Sequence, residues 1–279
     1  MTTSLSYLDA TVLGVVEGLS EFLPVSSTGH LTVVESFLSL PVDDPAVTAF
    51  TAIIQFGAIV ATFVYFRSDI VRLGRAWLSG LVSAPARRHP DYRFAWSVLA
   101  GSLPIVVVGF LARDLISGPL RNLWVVAGAL LAWSAVMYVA DRRGRQKLGE
   151  EDLSLGQVVL IGVVQCAALV PGVSRSAATI SAGLLLDATR VAATRLSFFL
   201  AIPALTGAAL FELRDVDVSV VGWGPLAVGT LVSFVVAYAA IAWLLRFLAG
   251  HGLTVFIVYR IVVGLLLAGL LALDVISAT

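Results

Sequence analysis

Charge is what this sequence has least of. Only 13% of its 279 residues are Asp, Glu, Lys or Arg, against roughly a quarter in a soluble domain, which excludes an ordinary water-facing surface. The 18 basic and 18 acidic residues cancel, so no electrostatic footprint marks nucleic acid as a partner. Cysteine occurs once, at Cys166, which excludes an internal disulfide and a cysteine-built metal site. No basic residue precedes the first apolar stretch within Met1 to Ala10, so a cleaved secretory signal is not expected. In place of charge the chain carries 59% hydrophobic residues, spread along nearly its whole length. That distribution describes a polytopic membrane protein.

A helix crossing a hydrocarbon core of about 30 Å needs around 20 mostly apolar residues. Six segments meet this requirement, roughly Ala46 to Phe66, Phe94 to Ala112, Leu123 to Ala140, Thr194 to Phe211, Val220 to Leu245 and Leu253 to Leu273. Two further apolar regions do not. Tyr7 to Leu40 is broken by Pro24-Val25-Ser26-Ser27-Thr28-Gly29-His30, and Leu153 to Leu186 by Pro171-Gly172-Val173-Ser174-Arg175-Ser176. Each half is too short to cross alone, so both regions read as re-entrant hairpins. Irregular backbone at membrane depth persists only where protein or a wet cavity satisfies its polar groups, and two such breaks imply an internal polar site.

If each hairpin returns to its own side, eleven of the 18 basic residues fall on one face: Arg67, Arg72, Arg75, Arg87, Arg88, Arg93, Arg142, Arg143, Arg145, Lys147 and Arg246. The other face receives Arg113, Arg121 and Arg214, together with Asp43, Asp44, Asp215 and Asp217. The positive-inside bias makes the first face cytoplasmic and places both termini outside it. The chain also repeats. Gly14-Val15-Val16-Glu17 returns as Gly162-Val163-Val164-Gln165, each followed by a proline and a Ser-rich break. One hairpin plus three spans crosses an odd number of times, so the second copy enters from the opposite face. The expected fold is an all-α integral membrane protein, one domain over 1–279 with halves of about 1–140 and 153–279, in which six spans and two hairpins form an inverted-topology repeat whose broken segments meet near the midplane.

The breaks hold the chemistry. Glu17 and Glu21 stand four apart, hence on one helix face, and each carboxylate costs about 2.5 to 3.5 kcal/mol at the bilayer centre. A shared proton, a divalent cation or an arginine has to compensate, unless the helix lies shallow with both carboxylates in water. Ser26, Ser27 and Thr28 precede the next half-helix. One of them is expected to cap it, and three hydroxyls beside free N–H groups at a positive helix end make a ready phosphate site. His30, three residues beyond Ser27, can share that ligand. The second break adds Gly172, Ser174, Ser176 and Thr179 around Arg175, the one basic residue in the apolar core of either hairpin. Buried arginine needs an anion, either Glu17 or Glu21 as a structural lock or the oxygens of a phosphate. Arg260, inside the last span near its proposed cytoplasmic end, reads as a side chain that snorkels.

Glu17-Gly18-Leu19-Ser20-Glu21-Phe22-Leu23-Pro24-Val25-Ser26-Ser27-Thr28-Gly29-His30-Leu31 and Pro171-Gly172-Val173-Ser174-Arg175-Ser176-Ala177-Ala178-Thr179 resemble the two signature motifs of the bacterial undecaprenyl-diphosphate phosphatases of the bacitracin-resistance type. The likeness extends over essentially the full length. It implies a phosphoric anhydride hydrolase of the bacterial plasma (inner) membrane that converts a C55 polyprenyl diphosphate to the monophosphate carrier of cell-wall synthesis, with its site opening to the extracytoplasmic face. By motif position it implies Glu17, Glu21, Ser27, His30 and Arg175 as catalytic, with Ser26, Thr28, Gly172, Ser174, Ser176 and Thr179 around the phosphates. It also implies a divalent cation, Mg²⁺ or Ca²⁺, on Glu17 and Glu21. The attacking group is left open between His30, Ser27 and water. Membrane lipids surround the chain, and a homodimer is compatible with all of this. Inverted repeats with intramembrane Glu, His and Arg also suit a lipid-phosphate flippase or ion-coupled transporter, and a non-catalytic polyprenyl-phosphate binder is a third reading.

Overall fold

The computed structural model describes residues 5–40, 45–112, 115, 120, 122–212 and 222–277. Asp43, Asp44, Arg113, Arg121, Arg214, Asp215 and Asp217, which carried the acidic side of the topology argument, lie outside them. Among the described residues there are eleven α-helices and no strand. The first apolar region folds as α1 (Tyr7–Ser20) and α2 (Ser27–Phe37), followed by the long α3 (Pro45–Tyr65). Next come α4 (Arg67–Val82), α5 (Pro90–Leu111) and α6 (Leu123–Arg143). The second broken region gives α7 (Leu155–Gln165) and α8 (Arg175–Leu185), then α9 (Arg190–Glu212), α10 (Trp223–Leu248) and α11 (Thr254–Ala272).

Six helices are long and apolar enough to cross a membrane, namely α3, α5, α6, α9, α10 and α11. They match the six expected segments. Their outward faces carry large apolar side chains, such as Val106, Val107 and Phe110 on α5 and Val258, Val262 and Leu265 on α11. Water would penalise such faces and hydrocarbon does not. At 1.5 Å per residue the 14 residues of α1 and the 11 of α2, α7 and α8 fall short of about 30 Å. One helix was not anticipated. No span or hairpin was expected over Arg67 to Val82, yet its arginines line one side of α4, while Leu73 and Gly80 are buried on the other.

Local signals recur at a constant interval. Ser6 caps α1 in a capping box with Asp9, and Ser154 caps α7 in a capping box with Gln157. Ser26 and Ser174, at the starts of α2 and α8, share a positive φ of 80° and 77°. Ser6/Ser154, Asp9/Gln157, Gly14/Gly162, Glu17/Gln165 and Ser26/Ser174 are each 148 positions apart (154 − 6; 174 − 26). Packing is reciprocal as well: α1 lies on α10 and α7 on α5, while α6 lies on α11.

Between apolar helices in hydrocarbon there is little solvent-driven attraction, so close approach of small residues sets the contacts. Gly162 shows how close. A Cβ there would stand 1.9 Å from the carbonyl oxygen of Gly101 on α5. Gly162→Ala is therefore expected to separate α5 from α7 and destabilise the fold by about 3 kcal/mol or more. Gly74→Ala, with nothing within 4 Å of the new Cβ, should be neutral or stabilising by up to about 1 kcal/mol. Thermal unfolding in detergent would compare them directly.

One end of the molecule is ionic. Arg72 pairs with Asp91, Asp69 and Glu151, Arg195 with Asp69 and Glu150, and Arg190 with Asp141, whose second oxygen accepts from the Leu253 N–H. These contacts gather α4, the start of α5, the α6–α7 connection and the start of α9 at the end where the arginine-rich segments were expected to lie together.

Candidate active site

In the interior of the architecture the two breaks meet. Glu21 is the C-cap of α1 and Ser27 the first residue of α2, so the tight turn between them brings their side chains together. Ser27 Oγ donates to Glu21 Oε2 at 2.8 Å. From the second break, Arg175, the first residue of α8, donates through NH2 to Glu21 Oε1 at 3.2 Å. Its NH1 donates to the Ser197 carbonyl on α9 at 2.9 Å, and its buried Nε has no hydrogen-bond partner. One carboxylate thus joins a hydroxyl from its own break to a guanidinium from the other. Glu17 sits one turn earlier on α1, 2% exposed.

The other hydroxyls divide. Ser176 Oγ donates to the Leu23 carbonyl across the interface at 3.0 Å, and Ser174 Oγ lies 3.0 Å from Ser176 Oγ and caps α8 through the Ala177 N–H. Thr179 Oγ1 lies 2.7 Å from Ser197 Oγ. All three are buried and bonded to protein atoms, which makes them contacts between breaks and helices in this structure. Thr28 is exposed. Ser26 occupies the N-cap position of α2, but its side chain makes no capping bond. The expected Ser26 cap is therefore absent, although Ser174, at nearly the same φ, does cap α8. The first N–H groups of α2, which lack intrahelical partners, are thereby left for another acceptor. Gly172 adopts φ 99°, and a Cβ there would stand 2.5 Å from the Val126 carbonyl oxygen. Only glycine fits that turn.

His30 is joined to neither Ser27 nor Glu21. Its Nδ1 faces the Ser26 carbonyl and its Nε2 the hydroxyl of Tyr259 on α11, both at 2.7 Å. Tyr259 and Ser197 have no mark in the sequence that distinguishes them from other span residues. Arg260 corrects the snorkelling expectation. It is fully buried, and it donates to the carbonyls of Gly172 at 2.9 Å and Pro24 at 3.3 Å, with Ser134 Oγ on α6 at 3.3 Å. A guanidinium satisfied by both breaks has no reason to reach for the interface.

Six apolar crossings around two pairs of short helices, whose breaks carry a buried serine–carboxylate–arginine chain, define a multi-pass α-helical membrane protein with a polar centre in its interior. Residues 10–266 match the family model described as bacitracin resistance protein BacA. The chain is 58% identical over 277 residues to undecaprenyl-diphosphatase 1 of Streptomyces coelicolor, covering 99% of this chain and all of that protein. It is 57% identical to undecaprenyl-diphosphatase 1 of Frankia alni, again over 99% of this chain and all of the relative. With the undecaprenyl-diphosphatase of Cutibacterium acnes it shares 47% identity over 98% of its length and all of that relative's. The chain belongs to the BacA family.

Proposed function

We propose that the protein is an undecaprenyl-diphosphate phosphatase, which hydrolyses the terminal phosphate of a C55 polyprenyl diphosphate and returns the monophosphate carrier to cell-wall synthesis. The observation that carries the reading is the Ser27–Glu21–Arg175 chain, which places a hydroxyl, an acceptor for its proton and a phosphate-type cation in continuous contact. Ser27 Oγ forms a bond to the terminal phosphorus, its proton passes to Glu21, and the bridging P–O bond breaks to release the lipid monophosphate. Water then cleaves the phosphoserine. Arg175, whose Nε is uncommitted, and the first N–H groups of α2 offset the charge that spreads over the phosphoryl oxygens. His30, with both ring nitrogens engaged, is less suited to attack than Ser27.

Among the described residues no group of three or more His, Cys, Asp or Glu side chains could hold a metal ion. Glu17 and Glu21, one turn apart, are the residues that would hold a divalent cation, Mg²⁺ or Ca²⁺. Such an ion would supply charge neutralisation at the phosphates. Every contact of the serine–carboxylate–arginine chain comes from one copy, so a homodimer is not required to complete it. The constant interval between the two breaks and the reciprocal packing of α1 on α10 and α7 on α5 support re-entrant hairpins in an inverted repeat. We place the ionic, arginine-rich end on the cytoplasmic side of the bacterial plasma membrane and the opening of the site toward the extracytoplasmic face.

Purified protein in detergent, given a short-chain prenyl diphosphate, should release inorganic phosphate, and Arg175→Ala should abolish that release. Binding without release in the unaltered protein would instead favour a flippase or lipid-binding role.

A further inference from the structure

Tyr259 belongs to no motif, yet it is the residue that meets the outer nitrogen of His30. Its ring lies nearly parallel to the imidazole, 11° between planes and 5.5 Å between centroids. Its hydroxyl oxygen is 2.7 Å from Nε2, while Nδ1 is 2.7 Å from the Ser26 carbonyl. A carbonyl can only accept, so Nδ1 carries the hydrogen. In the neutral imidazole Nε2 then presents a lone pair, and the phenol donates to it. The neighbour of Tyr259 in sequence, Arg260, is anchored on the carbonyls of Pro24 and Gly172. That anchor sets the register of α11 against both breaks and so fixes where the phenol stands.

We infer that Tyr259 is a positioning residue for the proposed reaction, acting through His30: its hydroxyl engages Nε2 of the imidazole whose other nitrogen the Ser26 carbonyl holds as Nδ1–H, and it fixes the ring plane against α11. A phenylalanine would keep the stacking and lose this hydrogen bond. If His30 takes up a proton, the same oxygen accepts from Nε2–H by turning its own hydrogen, so no heavy atom needs to move. The inference rests on His30 working in the site described above.

The chain has three histidines, and His89 and His251 are exposed, so a His89→Asn/His251→Gln background isolates His30 for nitrogen-15 NMR. Both proteins should give the Nδ1–H tautomer that the Ser26 carbonyl selects, and Tyr259→Phe should shift the Nε2 resonance, which loses its hydrogen bond. Tyr259→Phe should also lower kcat about tenfold, the worth of one hydrogen bond, with KM changed by less than about twofold, and this effect should vanish in a His30→Ala protein. An unchanged Nε2 resonance in Tyr259→Phe, or a full loss of kcat that persists without His30, would overturn the inference. The NMR result does not depend on turnover. If the unaltered protein released no phosphate, the proposed function would fall while the Nε2 measurement still decided the role of Tyr259.

Discussion

Glu21→Gln is expected to lower phosphate release from a prenyl diphosphate by about a thousandfold, within the range commanded by a general base. The carboxylate does two things at once. Oε2 accepts from Ser27 Oγ and Oε1 from Arg175. A glutamine of the same shape has one acceptor and one donor end, so it must either set N–H against the guanidinium or lose the serine. It also leaves Arg175 as a buried cation without its counter-charge, which raises the cost of the resting state. Ser27→Ala should be comparably inactive, and the double variant no worse than either single one, because groups acting as a unit are not additive. Steady-state kinetics on the three proteins provide the check. If Ser27→Ala kept more than about a third of the activity while Glu21→Gln lost nearly all of it, the attacking group would be water activated by Glu21.

The cluster behind this prediction was only partly legible in the sequence. Charge scarcity made Glu17, Glu21 and Arg175 stand out, since each is costly in an apolar run, and the prolines and glycines located both breaks. Residue types alone could not say which hydroxyls face the site. Ser174, Ser176 and Thr179 read as phosphate ligands, but in the folded chain their oxygens bond to Leu23, Ser197 and one another, contacts between segments about 150 positions apart in the case of Ser176 and Leu23. α4 was hidden for a different reason. A search for crossings counts apolar runs, and a helix with arginine on one side and Leu73 and Gly80 on the other breaks the run without breaking the helix. Tyr259 was hidden because a tyrosine in a span is unremarkable until a histidine 229 residues away stacks on it.

Arg260 gives the second large effect, on stability and activity together. Arg260→Met keeps an unbranched apolar stem but removes the donors that reach Gly172, Pro24 and Ser134. Each buried loop carbonyl left without its donor costs about 1–3 kcal/mol. Removing the guanidinium also removes its own desolvation cost, which offsets part of this. A net loss of about 2–3 kcal/mol should appear as a fall in melting temperature of roughly 5–10 °C in detergent. Activity should drop further than stability, by about a hundredfold at temperatures where the variant is folded, because Glu21 and Arg175 sit on different breaks and small displacements between them are costly. Arg260→Lys, a single point charge able to serve one carbonyl well but not both breaks, should fall between the two proteins. Wild-type melting and turnover in Arg260→Met would show that the Ser176–Leu23 and Glu21–Arg175 bonds suffice to join the breaks. Loss of activity with unchanged melting would instead place the role of Arg260 in the electrostatics of the site, as a buried positive charge with no carboxylate within salt-bridge distance among the described residues.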